Sequence, residues 1–372
     1  MLLATIVIAA AFASGCALPD FGGSDAAAPT PAERAEATAG RLSDAELVGQ
    51  RLIAGFSGRS IPDELRRSIG DGRLGGVLLF DENFGGQAGA RRLVAELQSI
   101  PRPQSLGAPL LMMLDQEGGL VKRLAGPPSV SAERMGAEGS PECRRQGTDT
   151  ASMLRRTGVN VDLAPVLDVA RPGGAIDAEE RSFGRDPAIV ASCAGAFAAA
   201  LERGGVAPTA KHFPGLGAAR VNTDDAVQRI DLGRSTLRSV DERPYREFAG
   251  EGSGGRLVML SSAVYPAFSE LPAALSPELA SEELRGRLGF EGPSITDALE
   301  TASTEAVGGS TAAARLAAEA GTDLMLFTDL GGARRAAGPL RAMLRSGASA
   351  RRAFVESVGR ALALRERLRT PR

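Results

Sequence analysis

The sequence has 372 residues, 43% hydrophobic and 24% charged, and its 43 basic and 45 acidic side chains leave a formal net charge of -2. This is the balance of an ordinary globular protein. With no block of basic residues, 4% aromatic residues and no Trp, it lacks the charge footprint and stacking rings of a nucleic-acid-binding chain.

The first segment differs in kind from the rest. An apolar run from Leu2 to Ala13, with no Lys or Arg before it, is too short to span a bilayer but suits the hydrophobic region of a signal peptide over residues 1–15. It ends in Ala13-Ser14-Gly15-Cys16, which resembles a bacterial lipobox, so Cys16 is expected to become the lipidated first residue of an exported, membrane-anchored protein. The alternative is ordinary signal-peptidase cleavage with Cys16 incidental. Residues 16–40, rich in Ala, Gly, Pro and small polar side chains, read as the lipidated Cys and a flexible tether. Folded structure is then expected from residue 41, where Ser43 and Glu46 have the spacing of a capping box. Residues 41–370 are long enough for one large barrel.

Apolar runs without alternation follow in order: RLIAGF, GGVLLF, LLMMLDQE, VNVDLAPVLDV, VAPTAKHF, LVMLSSAVYP, PSITDAL and TDLMLF. Segments of helical composition separate several of them, and two carry Cys143 and Cys193, whose pairing the sequence leaves open. Strands apolar on both faces belong to a parallel sheet covered by helices, and eight of them predict an α/β fold, a single-domain (β/α)8 barrel of the TIM type. A doubly wound nucleotide fold has little support, because no GxGxxG turn follows the first run.

In such a barrel the chemistry sits where strands end. Polar residues gather there: Asp115, Gln116 and Glu117 close the third run, Asp168 the fourth, Lys211 and His212 the fifth, Ser261 and Ser262 the sixth, and Asp297 the seventh. His212 is the single His of the chain. One imidazole and separated carboxylates do not make a zinc site, so no metal or other cofactor is expected.

Four stretches in order, DQEGGLVKRL, ERSFGRDP, KHFPGLG and SITDAL, resemble glycoside hydrolase family 3, specifically its bacterial single-barrel β-N-acetylhexosaminidases. The resemblance implies that Asp297 is the catalytic nucleophile. It also implies that Asp115, Arg123, Arg181, Lys211 and His212 hold the hydroxyls and N-acetyl group of the sugar. The chain departs from the family at the proton donor, where the usual Asp-Ser-His loop is Asn222-Thr223-Asp224, and at the sixth strand, where Thr-Ala-His is Ser261-Ser262-Ala263. The expected acid/base is therefore Asp224, or its neighbour Asp225, since a carboxylic acid can serve if its pKa is raised from ~3.9.

The resemblance, together with the expected signal peptide, implies an exported retaining glycosidase for terminal β-linked N-acetylglucosamine, or glucose-like units, of small glycans or cell-wall fragments. Two alternatives stay open: a weak or inactive sugar-binding or sensing lipoprotein, and an envelope interaction protein that keeps only the scaffold. Absence of Trp argues against a long polysaccharide cleft. The expected partners are a small glycan and, through the lipid anchor alone, the membrane; oligomeric state cannot be read from the sequence.

Overall fold

The computed structural model describes residues 29–250 and 252–369. The expected signal peptide, Cys16 and the tether up to residue 28 lie outside the described residues. The remainder of the expected tether is corrected: Pro31–Gly40 forms a helix. Thr30 and Glu33 close a capping box at its start, with Pro31 in the first turn. Ala35 and Ala39, one turn apart, are fully buried. The helix packs on the C-terminal helix Ala348–Arg369, and a Cβ on Gly359 would stand 3.2 Å from the Glu36 Cα. The small side chains that read as a linker are what lets two helices approach closely. The next helix, Asp44–Gly49, begins with the expected capping box of Ser43 and Glu46.

All eight apolar runs contain a strand: β1 Leu52–Ala54, β2 Gly76–Leu78, β3 Leu111–Leu114, β4 Val161–Asp162, β5 Ala207–Phe213, β6 Leu257–Leu260, β7 Ser294–Ala298 and β8 Leu324–Phe327. They close in chain order into a barrel whose neighbours are all parallel, and β8 returns to β1 with Leu52 opposite Met325 and Ala54 opposite Phe327. Helices lie between successive strands, which is the expected (β/α)8 architecture. Cys143 and Cys193 sit on the helices Ser140–Thr157 and Pro187–Arg203 as free, buried thiols, both turned toward the Met135 carbonyl at 3.4 and 3.9 Å.

Strand alternation divides the core in two. Ile53, Leu111, Met113, Val161, Leu257 and Ile295 fill the barrel interior, whereas Met112, Leu114 and Val258 face the helices. The C-terminal helix closes one end. Its Ala361 and Leu364 join the interior cluster, and buried Arg365 donates to the Pro109 and Ala108 carbonyls at 2.6 and 2.8 Å, just before β3. Asp323, at the start of β8, is fully buried between Arg285 and Arg360. Since this end is plugged by helix and ion pairs, the opposite end, where the strands terminate, is left to hold a site.

Candidate active site at the barrel mouth

The same period of two that fills the interior also builds the site. Leu111 and Met113 point inward, so Asp115 does; Ile295 is followed inward by Asp297, Leu78 by Phe80, and Leu326 by Thr328. These residues line a cavity of about 200 Å³ whose apolar lining includes Leu78, Leu163, Met259 and Leu326. All seven residues expected to form the site, Asp115, Arg123, Arg181, Lys211, His212, Asp224 and Asp297, line it. Ser261 and Ser262 do not. Ser261 is buried, its amide donating to the Phe213 carbonyl and its hydroxyl accepting from the Ala263 amide. A groove of about 210 Å³ between the helices Asp44–Gly49 and Leu330–Leu344 contains arginines and apolar residues but no carboxylate or His, so it offers no comparable acid/base chemistry.

Opposite charges converge at the pocket from separate strands. Lys211 Nζ lies 2.7 Å from Asp115 Oδ1 and 2.7 Å from Glu117 Oε1. Arg181 reaches Glu117 with two prongs at 2.9 Å and Glu179 at 3.2 Å. Arg123 donates to Asp115 Oδ2 at 3.2 Å and lies over the Phe80 ring. Burial by itself would raise the Asp115 and Glu117 carboxyls. The charges of Lys211 with Arg123, and of Arg181 with Lys211, outweigh it and hold each at about 2. Lys211 is buried, which would lower its pKa, but Asp115 and Glu117 push it up.

His212 is oriented by Asp168. One carboxylate oxygen lies 2.7 Å from Nδ1, while the other accepts the amides of His212 and Leu216 at 3.1 and 2.7 Å. The ring's Nε2 is thereby left for a ligand. The turn that follows explains the glycines of KHFPGLG: Gly215 has φ +139, and a Cβ on Gly217 would stand 1.9 Å from the Val169 carbonyl oxygen. Glu180, between the two pocket residues Glu179 and Arg181, has φ 54, a left-handed conformation uncommon outside glycine.

The loop after β5 carries Asp224 to the mouth. Asn222 does not orient an imidazole here: its side-chain oxygen accepts the Asp224 amide at 3.1 Å, and its carbonyl accepts the Asp225 amide at 3.2 Å. Thr223 is buried beneath, and Asp224 is open to solvent on its outer side. Desolvation on the pocket side, then the charges of Asp297 and Asp225, push the Asp224 carboxyl above the ordinary range, against the opposing pull of His212 and Arg181. Asp297 is held by the amide of Ala298, which donates to Oδ1 at 2.8 Å.

Five contributors lie outside the sequence-based set. Glu117 was visible in DQEGG but not assigned to the site; Asp168 was placed at the rim without a partner; Glu179 gave no signal. Phe80 and Thr328 could have been found by continuing the interior alternation two residues past Leu78 and Leu326.

Residues 44–364 match the model of the glycosyl hydrolase family 3 N terminal domain. The chain belongs to glycoside hydrolase family 3. A secreted glycosyl hydrolase of Arthroderma benhamiae, uncharacterized, is 38% identical over 86% of this chain and 93% of its own length. A beta-hexosaminidase of Alkalilimnicola ehrlichii is 34% identical over 74% of this chain and 80% of its own. Among solved structures, the family 3 β-N-acetylglucosaminidase of Paenibacillus sp. str. FPU-7 superposes with a TM-score of 0.81 at 33% identity, over 88% of this chain but only 63% of that enzyme. The β-N-acetylhexosaminidase of Beutenbergia cavernae gives a TM-score of 0.80 at 29% identity, over 88% of this chain and 99% of that one. This family 3 barrel is thus β-N-acetylglucosaminidase-like in sequence and in fold.

Proposed function

We propose that this family 3 member is an exported retaining β-N-acetylhexosaminidase that removes terminal β-linked N-acetylglucosamine, or a glucose-like unit, from small glycans or cell-wall fragments. One observation carries the reading: Asp297 and an Asp224 with a raised pKa line the same pocket.

A retaining glycosidase needs a carboxylate below the anomeric carbon and a proton donor beside the leaving oxygen. In the proposed cycle Asp297 attacks the anomeric carbon while protonated Asp224 gives its proton to the departing oxygen, leaving a glycosyl ester on Asp297. Asp224, now ionised, then takes a proton from the water that breaks that ester. Lys211, Arg123, Arg181 and the Nε2 of His212 hold sugar oxygens, and contacts to the 2-substituent strengthen as positive charge develops on the ring. The salt-bridged carboxylates keep those donors from moving between steps.

The secreted Arthroderma benhamiae relative supports a place outside the cytoplasm. No helix among the described residues is long and apolar enough to cross a membrane. Lipid attachment rests on Ala13-Ser14-Gly15-Cys16. The sugar-sensing and scaffold alternatives gain nothing from the comparisons, whose named relatives are hydrolases.

The test is turnover of an aryl β-N-acetylglucosaminide beside the matching aryl β-glucoside, with Asp297→Ala as control. The N-acetylglucosaminide should be the better substrate, and the variant should lose it. Wild-type turnover in Asp297→Ala would remove Asp297 from its role.

A further inference from the structure

The described residues include two cysteines, Cys143 and Cys193, and although 50 positions separate them in the chain they meet in the core. Both are fully buried, with the sulfurs turned toward the same Met135 carbonyl at 3.4 and 3.9 Å. The two thiols also interact directly, through a side-chain hydrogen bond that pushes the Cys143 thiol up and pulls the Cys193 thiol down.

The helices that carry them, Ser140–Thr157 and Pro187–Arg203, run side by side in the same direction, since Cys143 meets Cys193, Gly147 meets Phe197 and Ala151 meets Gly204 just past the second helix. A Cβ on Gly147 would stand 2.7 Å from the Phe197 carbonyl oxygen and 3.1 Å from its Cα. With a carbon–carbon bond of about 1.5 Å, the Cα atoms of Gly147 and Phe197 are therefore less than about 5 Å apart. Cys143 and Cys193 each lie four residues earlier, one turn back along the same two faces. A disulfide spans Cα atoms roughly 4.4–6.8 Å apart, whereas helix axes in ordinary packing stand about 8–10 Å apart. The missing side chain of Gly147 is what draws the two backbones into disulfide range.

We propose that Cys143 and Cys193 form a disulfide that staples these two helices when the chain folds in an oxidising compartment. One thiolate attacks the disulfide of an external carrier, which leaves a mixed disulfide and releases one carrier thiolate; the second cysteine, giving up its proton, then attacks the mixed disulfide and releases the other. The chain loses two electrons and two protons, and the carrier becomes two thiols. Because both sulfurs are shut off from solvent in the finished fold, the exchange belongs to folding, before the Cys193 helix has docked. The bond lies behind the wall of the pocket. Met135 belongs to the helix Ala132–Glu138, which is tied to the segment of Arg181: the Glu133 amide donates to the Glu180 carbonyl at 3.3 Å, and a Cβ on Gly136 would collide with the Phe183 carbonyl. The proposed export supplies the oxidising compartment; the geometry stands without it.

The experiment uses the full chain with Cys16→Ser, so that two cysteines remain. The denatured protein is refolded once with glutathione disulfide and once with excess dithiothreitol, then unfolded, alkylated without reduction and digested for mass spectrometry. Refolding with glutathione disulfide should leave neither cysteine alkylated and yield a Cys143–Cys193 cross-linked peptide two hydrogens lighter than its parts. Its Tm should lie about 5 °C above that of the reduced protein, because the bond closes a long loop in the unfolded chain, and the difference should be absent in Cys143→Ala. Alkylation of both cysteines after oxidative refolding, glutathione adducts, a bond between two chains, or a bonded form that melts below the reduced one would each overturn the staple. Fractionation of the wild-type chain reports on export separately: a chain that forms the bond on refolding yet is recovered from the cytoplasm fails the exported location alone.

Discussion

Glu117 and Arg181, 64 residues apart in the chain, form a two-pronged ion pair at 2.9 Å on each arm, with both side chains largely removed from solvent. The pair ties the hairpin after β3 to the long connection after β4, and Lys211 of β5 joins it at 2.7 Å. Three consecutive strands therefore share one charge network at the pocket. The network fixes where each cation stands before any ligand arrives, which is what positioning of a sugar requires.

Glu117→Gln tests that role, since it keeps the shape and removes the charge. It should destabilise the fold by about 3 kcal/mol, because Arg181 and Lys211 stay buried with one carboxylate fewer. It should raise KM more than it lowers kcat if the cations only hold the sugar. Denaturant midpoints and Michaelis parameters measured side by side would show this, and unchanged stability would refute the network's weight.

Asp224→Ala should slow substrates with poor leaving groups by ~10²–10⁴-fold, the usual contribution of a general acid, and slow activated aryl substrates far less. Azide should rescue the variant by replacing the activated water. Asn222→Asp combined with Asp224→His should keep or raise activity: Asp at 222 can still accept the amide of residue 224, and a carboxylate-oriented imidazole titrates near neutrality. Equal slowing of both substrate types would reduce Asp224 to a positioning residue.

The pH dependence follows from the direction of each shift. Asp224 must be protonated to donate and its pKa is raised, so kcat/KM should fall as pH rises through that raised value. That alkaline limb should vanish in Asp224→Ala with activated substrates.

Asp115 and Glu117 act on stability with the opposite sign. Their folded pKa values, about 2, lie below the ordinary 3.8 and 4.5, so their contribution is complete above pH 4.5 and is lost as pH falls toward 2. Asp115 is worth about 2 kcal/mol and Glu117 about 3 kcal/mol. Thermal unfolding between pH 5 and pH 2 should show the decline, and a flat profile would contradict it.

Cys16→Ser should move the protein from the membrane fraction to the soluble exported fraction, because a Ser cannot carry the thioether-linked lipid. Retention on the membrane to the same extent as wild type would show that the lipobox reading is wrong.

The sequence alone determined the barrel and much of its rim. Each β-strand is a local property, written in a short run apolar on both faces, and alternation carries Asp115 and Asp297 inward without knowledge of any partner. The four motifs then named the family, and the structure brings their six expected site residues, with Asp224 of the loop after KHFPGLG, into one pocket. What the tertiary structure decided were the relations between distant segments. Ala35 and Ala39 look like linker residues until the C-terminal helix covers them. Ser261 and Ser262 look like rim residues until the barrel closes and buries them outside the cavity. Asn222 looks like a lost orienting carboxylate until its side chain is seen holding the loop amide. Asp168 and Glu117 acquire roles only when His212 and Lys211, 44 and 94 positions further on, come within 2.7 Å of them. Ion pairing falls off steeply with distance and depends on burial, and neither quantity exists until the eight strands have met.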